Sequence, residues 1–199
     1  MDKTILADIY RYWFGELDPV SDMPGKDRAD IWFKQSDAVD AHIRENFAQY
    51  LEPAKAVDWN LAALSREEQV ALLVLLDQFP RNIFRQSAEA FSYDAKARDI
   101  ARALVGEWRR FRIFEQSFVM LPFEHSEDAG DQDRSVMLFA EHTVEGPESG
   151  KAGLRASLDF ATKHRDIIRK FGRFPHRNVM LGRESTPEEV EFLKAGRGF

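Results

Sequence analysis

Three stretches of the sequence carry side chains able to move protons or hold an anion. "LPFEHSED" (121–128) sets Glu124 beside His125, with Glu127 close behind. "FGRFPHRN" (171–178) supplies Arg173, His176, Arg177 and Asn178. "LDQFPRNIFR" (76–85) supplies Asp77, Gln78, Arg81 and Asn82. A carboxylate and an imidazole opposite an arginine are the components of acid–base chemistry on a bound anion. Imidazole titrates near neutrality, and guanidinium grips carboxylate or phosphate through paired N–H groups. Glu124, His125 and His176 are therefore the candidate catalytic residues. Arg81, Asn82, Glu127, Arg173, Arg177, Asn178, Asp77 and Gln78 are candidate ligand contacts, with Trp13 of "YWFG" as an aromatic wall. The plainer reading is that the same polar groups brace loops, because irregular backbone needs partners for its amides and carbonyls.

Other chemistries are disfavoured. There is no Cys, which removes disulfides, thiolate nucleophiles and Cys-ligated metals. His125, His164 and His176 with Glu124 and Glu127 are metal-ligand types, but their spacing matches no standard zinc motif. His164 shares a stripe with Phe160, Ile167 and Phe171 and reads as a core histidine. No nucleophile elbow, P-loop or dinucleotide fingerprint is present, so no cofactor is implied. Ser126 and Ser135 read as a helix cap and a helix surface residue.

Residues 163–183 hold seven cationic side chains against only Asp166, while 124–145 hold seven carboxylates against only Arg134. The two blocks would neutralise each other across a helical hairpin. With a net charge of −6, the chain is a poor candidate for nucleic-acid binding. Its partner would be a small anionic molecule or an acidic peptide. The longest apolar run, "VALLVLL" at 70–76, is too short to span a bilayer, and the N-terminus lacks a signal-peptide core, which points to the cytoplasm.

The elements that must position these groups are helical. A first helix over 3–14 stops at Gly15. A second region runs from Asp27 to Leu51, broken near Ser36, with Pro53 as its end. Ser65 and Glu68 form a capping box for an apolar, buried helix over about 67–79 that Pro80 terminates. Ser92 caps a helix to Glu107, on which Ala97, Ile100, Ala101, Leu104 and Val105 share one face. A helix over 109–121 ends at Pro122, and Ser126 caps the next, to Thr143. Leu154–Phe171 forms a long helix stopped at Gly172, and Thr186, Pro187 and Glu189 open the last. No strand alternation is present, so the chain reads as a single all-α domain over 1–199, of about eight helices. Antiparallel alternation of these helices would bring all three phrases to one end, with "WFG" at 13–15.

These phrases, with "YWFGELDP" (12–19), "KHRDIIRKFGRFPHRNVMLGRES" (163–185) and "TPEEVEFL" (186–193), resemble the bacterial family known as domain of unknown function 924. The resemblance implies a tetratricopeptide-like fold, in which antiparallel helix hairpins stack as a compact superhelix. It implies no activity. A superhelical groove would also suit a peptide- or protein-binding scaffold without catalysis.

Overall fold

The computed structural model describes residues 3–19, 23–25 and 28–196; among these the regular elements are all helical, with a single isolated bridge between Leu17 and Pro24. The chain divides into two compact units, Met1–Arg85 with Glu89–Val119, and Gln86–Ala88 with Met120–Phe199.

The first unit begins with α1 (Thr4–Phe14), which ends where Gly15 adopts a positive φ of 70°. A Cβ there would stand 3.0 Å from the Arg28 side chain, so glycine suits both the turn and the close approach. The expected helix start at Asp27 lies outside the described residues. From Arg28 the chain forms α2 (Arg28–Phe33), then α3 (Asp37–Phe47), for which Ser36 is the N-cap, accepting from the Val39 amide. Pro53 does not end the region. It sits in the first turn of α4 (Leu51–Ala56), where an amide hydrogen is not needed.

The Ser65–Glu68 capping box opens α5 (Arg66–Leu73), as its spacing requires. Every residue from Val70 to Leu76 is fully buried. Pro80 does not stop this run. Val74–Gln78 widens into a π-helical turn, and α6 (Phe79–Ile83) continues from it with Pro80 in its first turn. α5 packs on α1 and α6 on α3. Trp13 and Phe14 of α1 meet Phe79, Phe114 and Phe118 at ring separations of 5.2–5.9 Å, so the high phenylalanine content is spent on an aromatic core. α7 (Asp94–Leu104) starts later than Ser92 and buries Ala97, Ile100, Ala101 and Leu104, then tightens into a 3₁₀ turn over Val105–Arg110.

α8 (Ile113–Glu124) carries the chain into the second unit and runs through Pro122. The ring costs one amide near the helix end, and the helix closes beyond it with the His125 amide on the Leu121 carbonyl at 2.9 Å. The cap of α9 (Ala129–Glu145) is Asp128, not Ser126. Ser126 instead accepts from the Asp128 amide and donates to Asp131, forming a turn in front of the helix. α10 (Lys151–Phe171) packs antiparallel on α9 and ends at left-handed Gly172. α11 (Pro187–Lys194) has the capping box expected from Thr186 and Glu189. Ile167, Ile168 and Phe174 form a core cluster with Phe171 and Phe192 against it. Among the described residues no helix is long and apolar enough to cross a membrane.

Candidate functional site

The candidate residues fall into both units, and each set is built within its own. In the first, the π-helical turn and α6 bring Asp77, Gln78, Arg81 and Asn82 onto successive turns. Arg81 grips Asp94 with two parallel bonds of 2.9 and 3.0 Å and also reaches the Asp77 carbonyl. Gln78 donates to the buried Asp77 carboxylate at 2.6 Å. Asn82 donates to Asp40 at 2.8 Å, and Arg85 pairs with the same carboxylate. Trp13 is buried, its indole N–H without a hydrogen-bond partner among the described residues, packed edge-on against Phe79 and Phe118. These side chains tie α6 to α3 and to the start of α7.

The second unit holds the imidazoles. The end of α8 presents Glu124, the turn after it presents His125, and α10 presents His164. A short 3₁₀ turn at Pro175–Arg177 presents His176 and Arg177. Phe174, fully buried, is the hub: its ring centroid lies 5.4 Å from His164 and 5.5 Å from His176, and Arg177 stacks over it at 4.5 Å. The His125 ring stands 6.4 Å from that of His164. His164 Nδ1 lies 2.9 Å from the Phe160 carbonyl and 3.2 Å from Glu124 Oε1. A carbonyl only accepts, so Nδ1 carries the proton. Burial pushes the His164 pKa down to about 3, and His125, Arg177 and His176 push the same way, opposed by the Phe160 bond. The ring is thus neutral near pH 7, and its contact with Glu124 involves an uncharged imidazole.

Around this group stands a tier of braces. Glu127 accepts the Phe174 amide at 2.9 Å and grips Arg183 through bonds of 2.7 and 3.0 Å, while Arg183 also donates to the Phe174 carbonyl. Burial opposes ionisation of Glu127, but the bonds from Arg183 and Phe174 outweigh it and hold its pKa low. Arg173 is bidentate to Glu189, and Asn178 donates to Glu189 and Ser185. The structure thus brings His164, His176 and Arg177 onto one buried ring, sets Glu124 and His125 beside His164, and uses Glu127, Arg173 and Asn178 to hold that ring and its loop. Sequence reasoning missed the central place of His164, whose position on an apolar stripe gave only a packing signal. It also placed Ser135 on the surface, whereas Ser135 is fully buried. Among the described residues no group of three or more acidic or His side chains is placed to hold a metal.

Charge pairing follows the hairpin only in part. Arg169 pairs with Asp133 and Arg183 with Glu127, across the two blocks. Lys163, Arg165, Lys170 and Arg173 find Asp159, Asp166, Glu188 and Glu189 instead.

The fold and the site define an all-α protein whose most polar interior surrounds the "PFEHSED" and "RFPHRN" phrases. The chain belongs to the family described as bacterial protein of unknown function (DUF924), whose model matches residues 9–197. A protein of unknown function from Agrobacterium tumefaciens has a similar solved structure, with a TM-score of 0.80 at 34% identity, covering 97% of this chain and 98% of that one. No curated protein shows significant similarity.

Proposed function

We propose that the Phe174-centred group of the second unit binds a small anion, with Glu124, His125 and His176 as the groups that exchange protons with it. The observation that carries this reading is the gathering of His164, His176 and the Arg177 guanidinium on the Phe174 ring, with His125 beside His164; burial first, and then His125, Arg177 and His176, oppose protonation of His164. Arg177 carries a fixed positive charge and the imidazoles can donate hydrogen bonds, which together suit an anion. Hydrolysis or proton transfer on a phosphate or carboxylate is the chemistry these groups suit. A cytoplasmic setting, inferred from the sequence, would supply such anions. The tetratricopeptide-like stacking implied by the family resemblance would favour an acidic peptide in the same place.

The test is thermal denaturation with and without inorganic phosphate. Phosphate at 100 times its Kd adds about 2.7 kcal/mol, a rise of several degrees. Arg177→Ala and His176→Gln should each lose that rise, whatever they do to the Tm without ligand, because Arg177 also packs on Phe174. A phosphate response equal to wild type in both variants, or none in wild type, refutes the reading. Displacement of phosphate by a poly-glutamate peptide but not by citrate would mark a peptide-binding scaffold.

A further inference from the structure

Gln132 and Ser135 lie three residues apart on the core side of α9, both with 0% exposure. Gln132 Nε2 is spent on the end of α8 and the turn after it, donating to the carbonyls of Phe123 (3.3 Å), Glu124 (2.6 Å) and Ser126 (2.6 Å). Carbonyls only accept, so this fixes the amide: Nε2 faces the turn and Oε1 faces away from it. Among the described residues Gln132 Oε1 has no hydrogen-bond partner, and neither has Ser135 Oγ. Other helical hydroxyls here turn back onto their own helix, Thr143 onto the Phe139 carbonyl and Ser157 onto that of Gly153. Ser135 does not.

Helix positions i and i+3 have Cβ atoms about 5–6 Å apart, so Gln132 and Ser135 are neighbours on one face of α9. Buried polar atoms in native proteins are satisfied by protein or by ordered water, and such waters need two to four polar partners. We infer that one internal water molecule is bound between Gln132 Oε1 and Ser135 Oγ, donating to the amide oxygen. The Asp133–Arg169 and Thr143–Leu154 contacts set the register of α9 on α10 and put this position level with the stretch of α10 that contains His164. By fixing Gln132, the water fixes the end of α8 and the turn after it, which present Glu124 and His125. The inference stands independently of anion binding.

Water–protein cross-relaxation by NMR tests it directly. A long-lived water should give a cross-peak to the Gln132 side-chain amide that disappears in Ser135→Ala. Stability gives a second readout, with Ser157→Ala on exposed α10 as the control for the helix preference of alanine. If the hydroxyl holds water, Ser135→Ala should lower the Tm by about 2–4 °C relative to that control and speed amide exchange over 123–126. If the pair is dry, deleting an unsatisfied hydroxyl is neutral or stabilising. An absent cross-peak in wild type, or a Ser135→Ala Tm at or above the control, overturns the inference.

Discussion

Glu189 is the sharpest test of the bracing tier. Its carboxylate, 2% exposed, accepts from Arg173 Nε (2.7 Å) and Nη2 (2.8 Å), from the Thr186 amide (2.7 Å) and from Asn178 (3.2 Å). Glu189→Gln keeps the shape but removes the charge, and it turns a donor toward Arg173. Each charge-assisted bond is worth about 1.5–3 kcal/mol. The Arg173 side chain is 28% exposed, so water recovers part of that loss. The expected cost is about 2–3 kcal/mol, or about 4–12 °C in Tm. The pH dependence gives an independent check. The bonds from Arg173, aided by Thr186, hold the Glu189 pKa at about 2 against an ordinary 4.5. A carboxylate depressed on folding contributes stability fully present above the unfolded value and lost as pH falls through the folded one. The gap between wild type and Glu189→Gln should therefore narrow from pH 4.5 to about 2 in urea melts followed by circular dichroism. A gap below about 0.5 kcal/mol at pH 7, a surface-pair value, or one that does not change down to pH 2, would refute this account.

Leu73→Ala and Leu76→Ala, both at fully buried positions, should each cost about 2–5 kcal/mol in chemical denaturation. Less than about 1 kcal/mol for both would make the α5 segment peripheral. The His164 ring should remain neutral, with its proton on Nδ1, in ¹⁵N NMR from pH 8 to pH 5. Its depressed pKa should make stability fall as pH drops below the ordinary imidazole value of 6.5 toward about 3, a slope that a His164→Gln variant lacks. Fluorescence anisotropy with duplex DNA should show no tight, steeply salt-dependent binding, since Arg165, Arg169, Arg173 and Arg183 each have a carboxylate partner.

Local signals with a single physical meaning were legible in the sequence. The Ser65–Glu68 and Thr186–Glu189 boxes, the Ser36 cap and the glycine stops at 15 and 172 all fall where their chemistry puts them. Proline was the misleading letter. Pro53, Pro80 and Pro122 each look like a helix end, yet each lies within a helix: Pro53 and Pro80 sit in first turns, where the amide is not needed, and Pro122 costs one bond near the end of α8. The π-helical turn before Pro80 has no signature in a run as uniformly apolar as "VALLVLL". Ser126 lost the cap of α9 to Asp128 because both are good caps, and only the path of the turn decides between them. Charge blocks showed that cations and carboxylates would pair, but not that Arg173 would choose Glu189 on α11 over the acids of α9.

The second unit gives its polar residues roles that spacing alone could not separate. Glu127 and Arg183 hold both backbone polar groups of one residue, with the Phe174 amide on the carboxylate and its carbonyl on the guanidinium. That fixes a ring on which Arg177 stacks and beside which His164 and His176 stand. Apolar packing would hold Phe174 without two charged side chains on its backbone, and an ion pair left partly exposed, as Arg183 and Glu127 are at 24% and 28%, adds little net stability. What the pair adds is position: Phe174 cannot shift its backbone without losing its bonds to Glu127 and Arg183. Glu127→Gln should therefore disturb the imidazole resonances of His164 and His176 more than it lowers the Tm. A variant that loses several degrees while those resonances stay in place would show that the pair serves stability alone.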